Sequence, residues 1–113
     1  MKIAFPTNNL KTISSHTSLS KYFAVIEIKD GEITDRVAIK NPIPELAKQT
    51  QTEEPNRGLG AGRIIPQLLK GVDVFIANQI GDGMKSNLNA AGIKVIETQI
   101  KDIKTIIDEF MEV

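Results

Sequence analysis

Short apolar runs alternate with polar or glycine-rich segments along this chain, and the period of the apolar positions differs between its two halves. The apolar runs of the first half are rich in β-branched and aromatic residues, a composition typical of strands. They predict three strands, over residues 2–5, 21–28 and 32–40. Asp30-Gly31 separates the last two and predicts a tight hairpin in which both turn residues have positive φ. We expect Pro6 to end the first strand, because proline has no amide proton for strand pairing.

The alternation within residues 32–40 predicts an outer strand of the sheet whose apolar face is formed by Ile33, Val37 and Ile39. The prolines at 42 and 44 should end this strand. Residues 45–57 are mostly polar and lack a sustained apolar period, which predicts a long loop with at most a helical turn near Leu46 and Ala47.

Apolar residues in the second half recur every three to four positions, the period of an amphipathic helix. One helical stripe consists of Ile64, Ile65, Leu68 and Leu69, and another of Ile100, Ile103, Ile106, Ile107 and Phe110. A shorter helix is predicted over residues 84–91, and Gly71 and Gly92 are expected to cap the first two helices. Apolar runs at residues 72–77 and 93–96 predict strands between the helices.

The predicted order β-β-β-α-β-α-β-α defines an α/β fold in a single domain, residues 1–113. Strand–helix–strand units imply parallel pairing through right-handed crossovers, whereas the hairpin makes one strand antiparallel. We therefore expect a three-layer α/β/α sandwich around a five-stranded mixed sheet, which resembles the ribonuclease H-like arrangement. Those nucleases need an acidic residue on the first strand for their metal ions. Here that strand carries Ile3, Ala4 and Phe5, so nuclease chemistry is not expected.

Composition narrows the classes of partner and chemistry. Lys plus Arg equals Asp plus Glu, 14 against 14, and no basic stripe of a nucleic-acid binder is visible. No apolar run approaches the length of a membrane span, and the first residues do not form a signal peptide. The absence of cysteine excludes disulfides, thiolate zinc sites and protein-thiolate iron–sulfur ligation. We expect a cytoplasmic protein without nucleic-acid or membrane partners.

Three polar or glycine-rich loops lie at positions where an α/β sheet binds its ligands: after the first strand, before the first predicted helix, and after the strand at residues 72–77. Such sheets hold ligands outside the carboxyl ends of their strands, near helix N-termini. We predict that the three loops converge on one site. Its candidate binding residues are Thr7, Asn8 and Ser15 in the first loop, Gly58, Gly60 and Gly62 in the second, and Gly81 and Gly83 in the third, with His16 as the metal ligand.

The same residues resemble the dinitrogenase iron–molybdenum cofactor biosynthesis family along essentially the whole chain. The matching segments are Met1-Lys2-Ile3-Ala4-Phe5-Pro6-Thr7, Ile13-Ser14-Ser15-His16, Tyr22-Phe23, Gly58-Leu59-Gly60-Ala61-Gly62, Gln79-Ile80-Gly81-Asp82-Gly83 and Asn89-Ala90-Ala91-Gly92-Ile93. In the family the histidine is often followed by Phe-Gly, whereas this chain has Thr17-Ser18. The resemblance implies a ribonuclease H-like domain, of the kind found in small nitrogenase accessory proteins that bind or carry iron–molybdenum cofactor or its precursors.

A single imidazole cannot hold a free metal ion tightly, because structural zinc needs four protein ligands. A preassembled iron–molybdenum or iron–sulfur cluster arrives with most positions filled, so His16 and glycine-loop amides suffice to bind it transiently. The leading interpretation is a non-catalytic binder or carrier of such a cluster, with no tightly bound cofactor. Its partners would be the proteins that donate or accept the cluster.

Two other interpretations stay open at the level of sequence. The glycine loops suit an anion- or nucleotide-binding module without metal, although neither the P-loop nor the dinucleotide spacing is present. A regulatory protein-interaction domain would act through residues 45–57 or through oligomerisation at the edge formed by residues 32–40. For Gly81 and Gly83, a plain structural reason would be positive φ between strand and helix. Catalysis is not expected, because the one histidine has no sequence neighbour that would orient it as a base.

Overall fold

The computed structural model describes residues 1–45 and 61–111. The strands are β1 (Lys2–Thr7), β2 (Tyr22–Lys29), β3 (Glu32–Lys40), β4 (Val74–Ala77) and β5 (Lys94–Glu97), and the helices are α1 (Ala61–Leu68), α2 (Asp82–Ala90) and α3 (Ile103–Met111). A 3₁₀ turn, Thr17–Leu19, lies between β1 and β2, and residues 43–45 are helical. Apart from the helical residues 43–45, which were not predicted, the described strands and helices follow the predicted order. The loop and helical turn expected after Glu45 lie outside the described residues.

The strands form one mixed sheet of five in the order β3-β2-β1-β4-β5. β2 is antiparallel to both β1 and β3, whereas β4 is parallel to both β1 and β5. The antiparallel half follows from the tight hairpin, and the parallel half follows from helical crossovers. β1 and β4 are therefore parallel neighbours at the centre of the sheet, and their carboxyl ends lie at the same edge.

Helices pack on both faces of this sheet. The core beneath α1 and α2, called here the α1/α2 core, includes Ala4, Phe23, Val25, Ile65, Leu69, Phe75 and Leu88. The core beneath α3, the α3 core, includes Ile3, Phe5, Ile26, Ile28, Ile76, Ile103, Ile106 and Ile107. Successive side chains of a strand point to opposite faces, so neighbours along β1 belong to different cores. The central strands are thus apolar on both sides, and their loops are the places where polar chemistry is available.

The expectation that Pro6 ends the first strand is wrong. β1 continues through Thr7, and Pro6 pairs in register with Phe23 of β2. The carbonyl of Pro6 accepts a hydrogen bond from the amide of Ser14, at 2.8 Å. The nitrogen and carbonyl of one strand residue face the same side, so the missing amide proton of Pro6 faces Ser14 and not β2. The ladder to β2 loses no donor at this position, and the strand tolerates proline.

The expectation that Ile33, Val37 and Ile39 share one face of β3 is also wrong. The pairing register between β2 and β3 shifts between Glu27 and Ile28, which marks a bulge in β3. One extra residue reverses the alternation of side chains beyond it. Ile33 consequently packs against the α3 core, whereas Ile39 packs against the α1/α2 core. Both faces of β3 therefore contribute apolar surface, which a strict two-residue period does not reveal.

The predicted turn and cap chemistry is confirmed. Asp30 and Gly31 have φ of 52° and 76°, the left-handed pair that a tight hairpin needs. Gly92, with φ of 84°, ends α2: its amide bonds the Asn89 carbonyl, and the Ile93 amide bonds the Leu88 carbonyl, both at 3.0 Å. This is a Schellman motif, which satisfies carbonyls that would otherwise lack a partner. It turns the chain directly from α2 towards β5.

Candidate ligand-binding site at the carboxyl edge of the sheet

The loops that follow β1 and β4 meet at the carboxyl edge of the sheet. The hydroxyl of Thr17 in the first loop donates a hydrogen bond to the carbonyl of Gln79 in the second, across 62 positions of sequence. Thr17 is buried, with 7% of its surface exposed. The structure thus brings together the first and third of the three predicted loops.

A pocket of about 360 Å³ lies between these two loops. Its lining consists of Ser15, His16, Thr17, Ser18 and Leu19 from the first loop, and of Gln79, Ile80, Gly81 and Met84 from the second loop and α2. Three of the predicted site residues, Ser15, His16 and Gly81, therefore line one cavity. The other side chains of the lining are uncharged, either polar or apolar.

His16 stands immediately before the 3₁₀ turn in an extended conformation. Its backbone is held from both sides by Ser14, whose hydroxyl accepts a bond from the His16 amide at 3.2 Å and donates to the His16 carbonyl at 3.3 Å. The imidazole is exposed and makes no hydrogen bond to any described residue. Ser14 thus fixes the backbone and leaves the ring nitrogens available to a ligand.

No cluster of three His, Asp or Glu side chains suited to a metal ion occurs within residues 1–45 and 61–111. The pocket lining has one imidazole, together with the neutral polar side chains of Ser15, Thr17, Ser18 and Gln79, backbone groups and the Met84 thioether. A free divalent ion needs more protein ligands than this arrangement offers.

Thr7 and Asn8 hold the first loop in shape. The Thr7 side chain is fully buried; its hydroxyl donates to the Thr12 carbonyl at 2.6 Å and accepts from the Leu10 amide at 3.0 Å. The carboxamide oxygen of Asn8 accepts from the Lys21 amide at 2.9 Å. Neither residue lines the pocket, so both act on it by positioning the loop that carries His16.

Asn41 is a further positioning residue that sequence reasoning missed. It is 2% exposed, and its amide nitrogen donates to the carbonyls of Ser18, at 3.0 Å, and Ser20, at 2.8 Å. Its oxygen accepts from the Ile43 amide at 3.1 Å. A fully bonded buried amide at the end of β3 thereby fixes the far end of the His16 loop. The one local signal is the Asn41-Pro42 pair, which favours a turn in which the Asn side chain bonds backbone.

Gly81 and Gly83 occupy the start of α2, which begins two residues earlier than predicted. Gly81 is the N-cap, with φ of −74°, and no side chain caps the helix. Neither glycine has positive φ, so the plain structural reason considered for them is wrong. A Cβ built on either would meet no atom within 4 Å. Neither backbone strain nor close packing among the described residues requires glycine at these two positions. None of the described residues fills the space next to them at the start of α2.

Most of the second predicted loop lies outside the described residues. Gly58 and Gly60 lie outside the described residues, and Gly62 lies in the first turn of α1. The structure thus joins two of the three loops into one site.

Electrostatics at the pocket are set by the start of α2. The first amides of a helix have no intrahelical partner and, with the helix dipole, favour negative charge. Asp82, in the first turn, places an exposed carboxylate at the same helix end. Its negative charge opposes the effect of the helix dipole on an anion beside Gly81.

These features describe a small α/β domain with a ligand pocket at the carboxyl edge of its sheet. The chain belongs to the family described as "Dinitrogenase iron-molybdenum cofactor", which matches residues 1–113. It is therefore a small protein of a cofactor-related family. No curated protein matches the chain significantly. Within the described residues, no helix is long and apolar enough to cross a membrane.

Solved structures share this fold at low sequence identity. The crystal structure of PH0822 is 22% identical over 99% of this chain and 89% of that one, with a TM-score of 0.75. The apo form of the orange protein from Desulfovibrio gigas is 19% identical over 98% of this chain and 87% of its own, with a TM-score of 0.73. The protein MJ0327 from Methanocaldococcus jannaschii is 21% identical over 99% of this chain and 88% of its own, with a TM-score of 0.67. At these identities the likeness establishes the fold alone.

Proposed function

We propose that this protein is a non-catalytic binder or carrier of a preassembled metallocluster, of the iron–molybdenum or iron–sulfur type. The observation that carries the proposal is the pocket in which the imidazole of His16 and the uncapped start of α2 at Gly81 line the same space. His16 supplies one ligand to an open position of the cluster. The amides at the start of α2 donate hydrogen bonds to its sulfides.

The donor set favours a cluster over a single ion. One imidazole is too few for a free metal, whereas a cluster needs the protein to fill one position and to neutralise part of its negative charge. The absence of a side chain at Gly81 lets an extended ligand approach the backbone closely. Asp82 keeps the affinity modest, which suits transient loading and release to donor and acceptor proteins.

The other predicted binding residues take supporting roles in this proposal. Ser15 lines the pocket beside His16, and Thr7 and Asn8 fix the loop. Gly58, Gly60 and Gly62 remain proposed contacts from the second loop. The strand order and the helices on both faces support describing the fold as a three-layer, ribonuclease H-like sandwich.

The test is an anaerobic titration of the ¹⁵N-labelled apo-protein with isolated iron–molybdenum cofactor, followed by amide NMR. The expected result is saturable change confined to residues 14–19 and 79–84. His16→Ala should abolish it, while Leu19→Ala, a change in the same lining, should retain it. Restored binding of His16→Ala in millimolar imidazole would identify the ring as the ligand. Tight binding by His16→Ala without imidazole would refute the assignment.

The start of α2 also favours a second candidate, an anion-binding module without metal. Uncapped amides and open space above Gly81 suit a phosphate group as well as a sulfide. The same titration with ATP, in the absence of iron, discriminates between the two. Changes at residues 79–84 that survive His16→Ala would favour the anion module, whereas the cluster carrier should respond to the cofactor and not to ATP.

A further inference from the structure

A second cavity, of about 830 Å³, lies away from the His16 pocket, beside α3. α1 and α2 cover the other face of the sheet. On this face α3 packs over β1 and β4, where it buries Ile3, Phe5, Val74 and Ile76. The part of the face formed by β2 and β3 is left as a groove alongside α3. Its apolar lining includes Ala24, Ile26, Ile33, Ala38, Ile107 and Met111.

The floor of the groove is shaped by cross-strand pairs. Ala24 of β2 lies opposite Ala38 of β3, and this pair of small side chains leaves a hollow. Ile26, on the same face, walls the hollow on one side. The bulge in β3 adds Ile33 to this face, as described above. The groove is therefore mostly apolar along its floor, and its volume falls in the range of pockets that bind small organic ligands.

The groove is lined by three cationic side chains and two carboxylates. Of the two carboxylates there, Asp108 is paired with Lys104 at 3.3 Å, and Asp102 accepts bonds from the amide and hydroxyl of Thr105. Two more cations, Lys11 and Arg36, line the groove. Neither forms an ion pair with any described residue. A ligand with a negatively charged head group would pair with a cation that the described residues leave without an ion-pair partner.

We propose that this groove binds a long-chain aliphatic carboxylate. The tail lies in the groove over the Ala24–Ala38 pair, where it removes apolar surface from water. The carboxylate lies at the rim beside the Ile26–Arg36 pair, where the planar guanidinium of Arg36 donates two hydrogen bonds. The site is separate from the His16 pocket and does not depend on the function proposed for that pocket.

The probe is decanoate, added below its micellar concentration to the ¹⁵N-labelled full chain, with decanol as the neutral control. Saturable shifts at residues 24, 26, 33, 38 and 107 with decanoate, and weaker binding of decanol, are expected. Arg36→Gln should weaken decanoate about tenfold, the usual scale for losing a charge-assisted bond, and leave decanol unchanged. Equal binding of the two probes, or no saturable shift with either, would overturn the proposal.

Two variants separate the groove from the rest of the surface. Ala38→Leu fills the hollow and should abolish decanoate binding, while Ile39→Val changes the opposite face of the same strand, outside the groove lining, and should retain it. If Ala38→Leu fails to fold, Arg36→Gln, which changes an exposed side chain, still decides the question. Concentration-dependent shifts at the groove without any probe would show that a second copy of the chain occupies it, and would also overturn the proposal.

Discussion

The hydroxyl of Thr17 donates a hydrogen bond to the carbonyl of Gln79, and this bond joins the loop after β1 to the loop after β4. It lies beneath the pocket that contains His16. This hydrogen bond is called here the loop latch. The geometry of the pocket depends on a contact that neither loop can make alone.

Loss of this latch should loosen the pocket. Thr17→Val keeps the shape of the side chain and removes the donor, so the free energy of unfolding should fall by about 1 kcal/mol. Urea unfolding measures this change. Ser18→Ala is the control, because the Ser18 hydroxyl makes no bond to a described residue. An unchanged midpoint in Thr17→Val would mean that the bond contributes nothing to the stability of the loop.

Asn41 should be less replaceable than its surface neighbours. Asn41→Asp puts a carboxylate oxygen where the amide donates to the carbonyls of Ser18 and Ser20. Two buried donors are lost and an unpaired charge is buried, so a destabilisation of roughly 3 kcal/mol is expected at neutral pH. The loss should shrink in acid, since the protonated carboxyl again has one donor. Urea unfolding at two pH values tests this, and a pH-independent deficit would contradict it.

Alanine substitutions at the two glycines at the start of α2 should affect different properties: Gly83→Ala the stability of the fold, and Gly81→Ala the binding of the ligand. Gly83→Ala lies within the first turn and should stabilise the fold by about 0.5–1 kcal/mol, because alanine restricts the unfolded chain. It should leave ligand binding unchanged, since Gly83 does not line the pocket. Gly81→Ala should leave the fold intact and weaken cofactor binding. Thermal unfolding and the NMR titration, run on both variants, provide the comparison; equal binding by the two would remove the close-approach argument.

The Asp82 carboxylate should weaken the binding of an anionic ligand and stabilise α2. Asp82→Asn removes the negative charge beside the start of α2, so an anionic cluster should bind several-fold more tightly, most clearly at low salt. The same change should lower the stability of the apo-protein slightly, because the carboxylate complements the helix dipole. Titrations at two ionic strengths test the first effect. Weaker binding by the variant would show that the carboxylate supports the ligand.

Asp102 should make the stability of α3 acid-sensitive. Hydrogen bonds from the side chain and amide of Thr105 hold the pKa of the Asp102 carboxyl below its ordinary value. A depressed pKa in the folded state contributes stability at pH above the ordinary value, and this contribution is lost as the pH falls through the folded value. Asp102→Asn keeps a good N-cap and should flatten this acid limb. Unfolding from pH 6 to pH 2 measures it, and identical limbs in both proteins would contradict the assignment.

Much of the fold could be predicted from local patterns. The hairpin at Asp30-Gly31 needs only residues that tolerate positive φ, and the cap at Gly92 needs only a glycine after a helix. The order of the elements and the mixed sheet followed from these signals. The bulge in β3 did not, because one inserted residue leaves the composition unchanged and reverses only the side-chain alternation beyond it.

The candidate site was predicted in part. His16, Ser15 and Gly81 were expected to meet, and they line one pocket. Thr7 was expected to contact the ligand, but the structure places its hydroxyl inside the loop, bonded to the Thr12 carbonyl. A threonine after a strand has the same sequence signature whether it faces inward or outward. Burial decides between the two, and burial is a property of the packed chain.

The sequence by itself determined the strands and helices, the turns between them and the membership of the family, because propensity, period and positive φ act over a few neighbouring residues. Only the tertiary structure decided that β1 and β4 lie side by side, which brings Thr17 to Gln79 and His16 to the start of α2. It also decided that Asn41 holds the His16 loop and that a charged groove remains beside α3. These contacts join distant parts of the chain. They depend on the order of the strands, which is set by the burial of both faces of the sheet under helices.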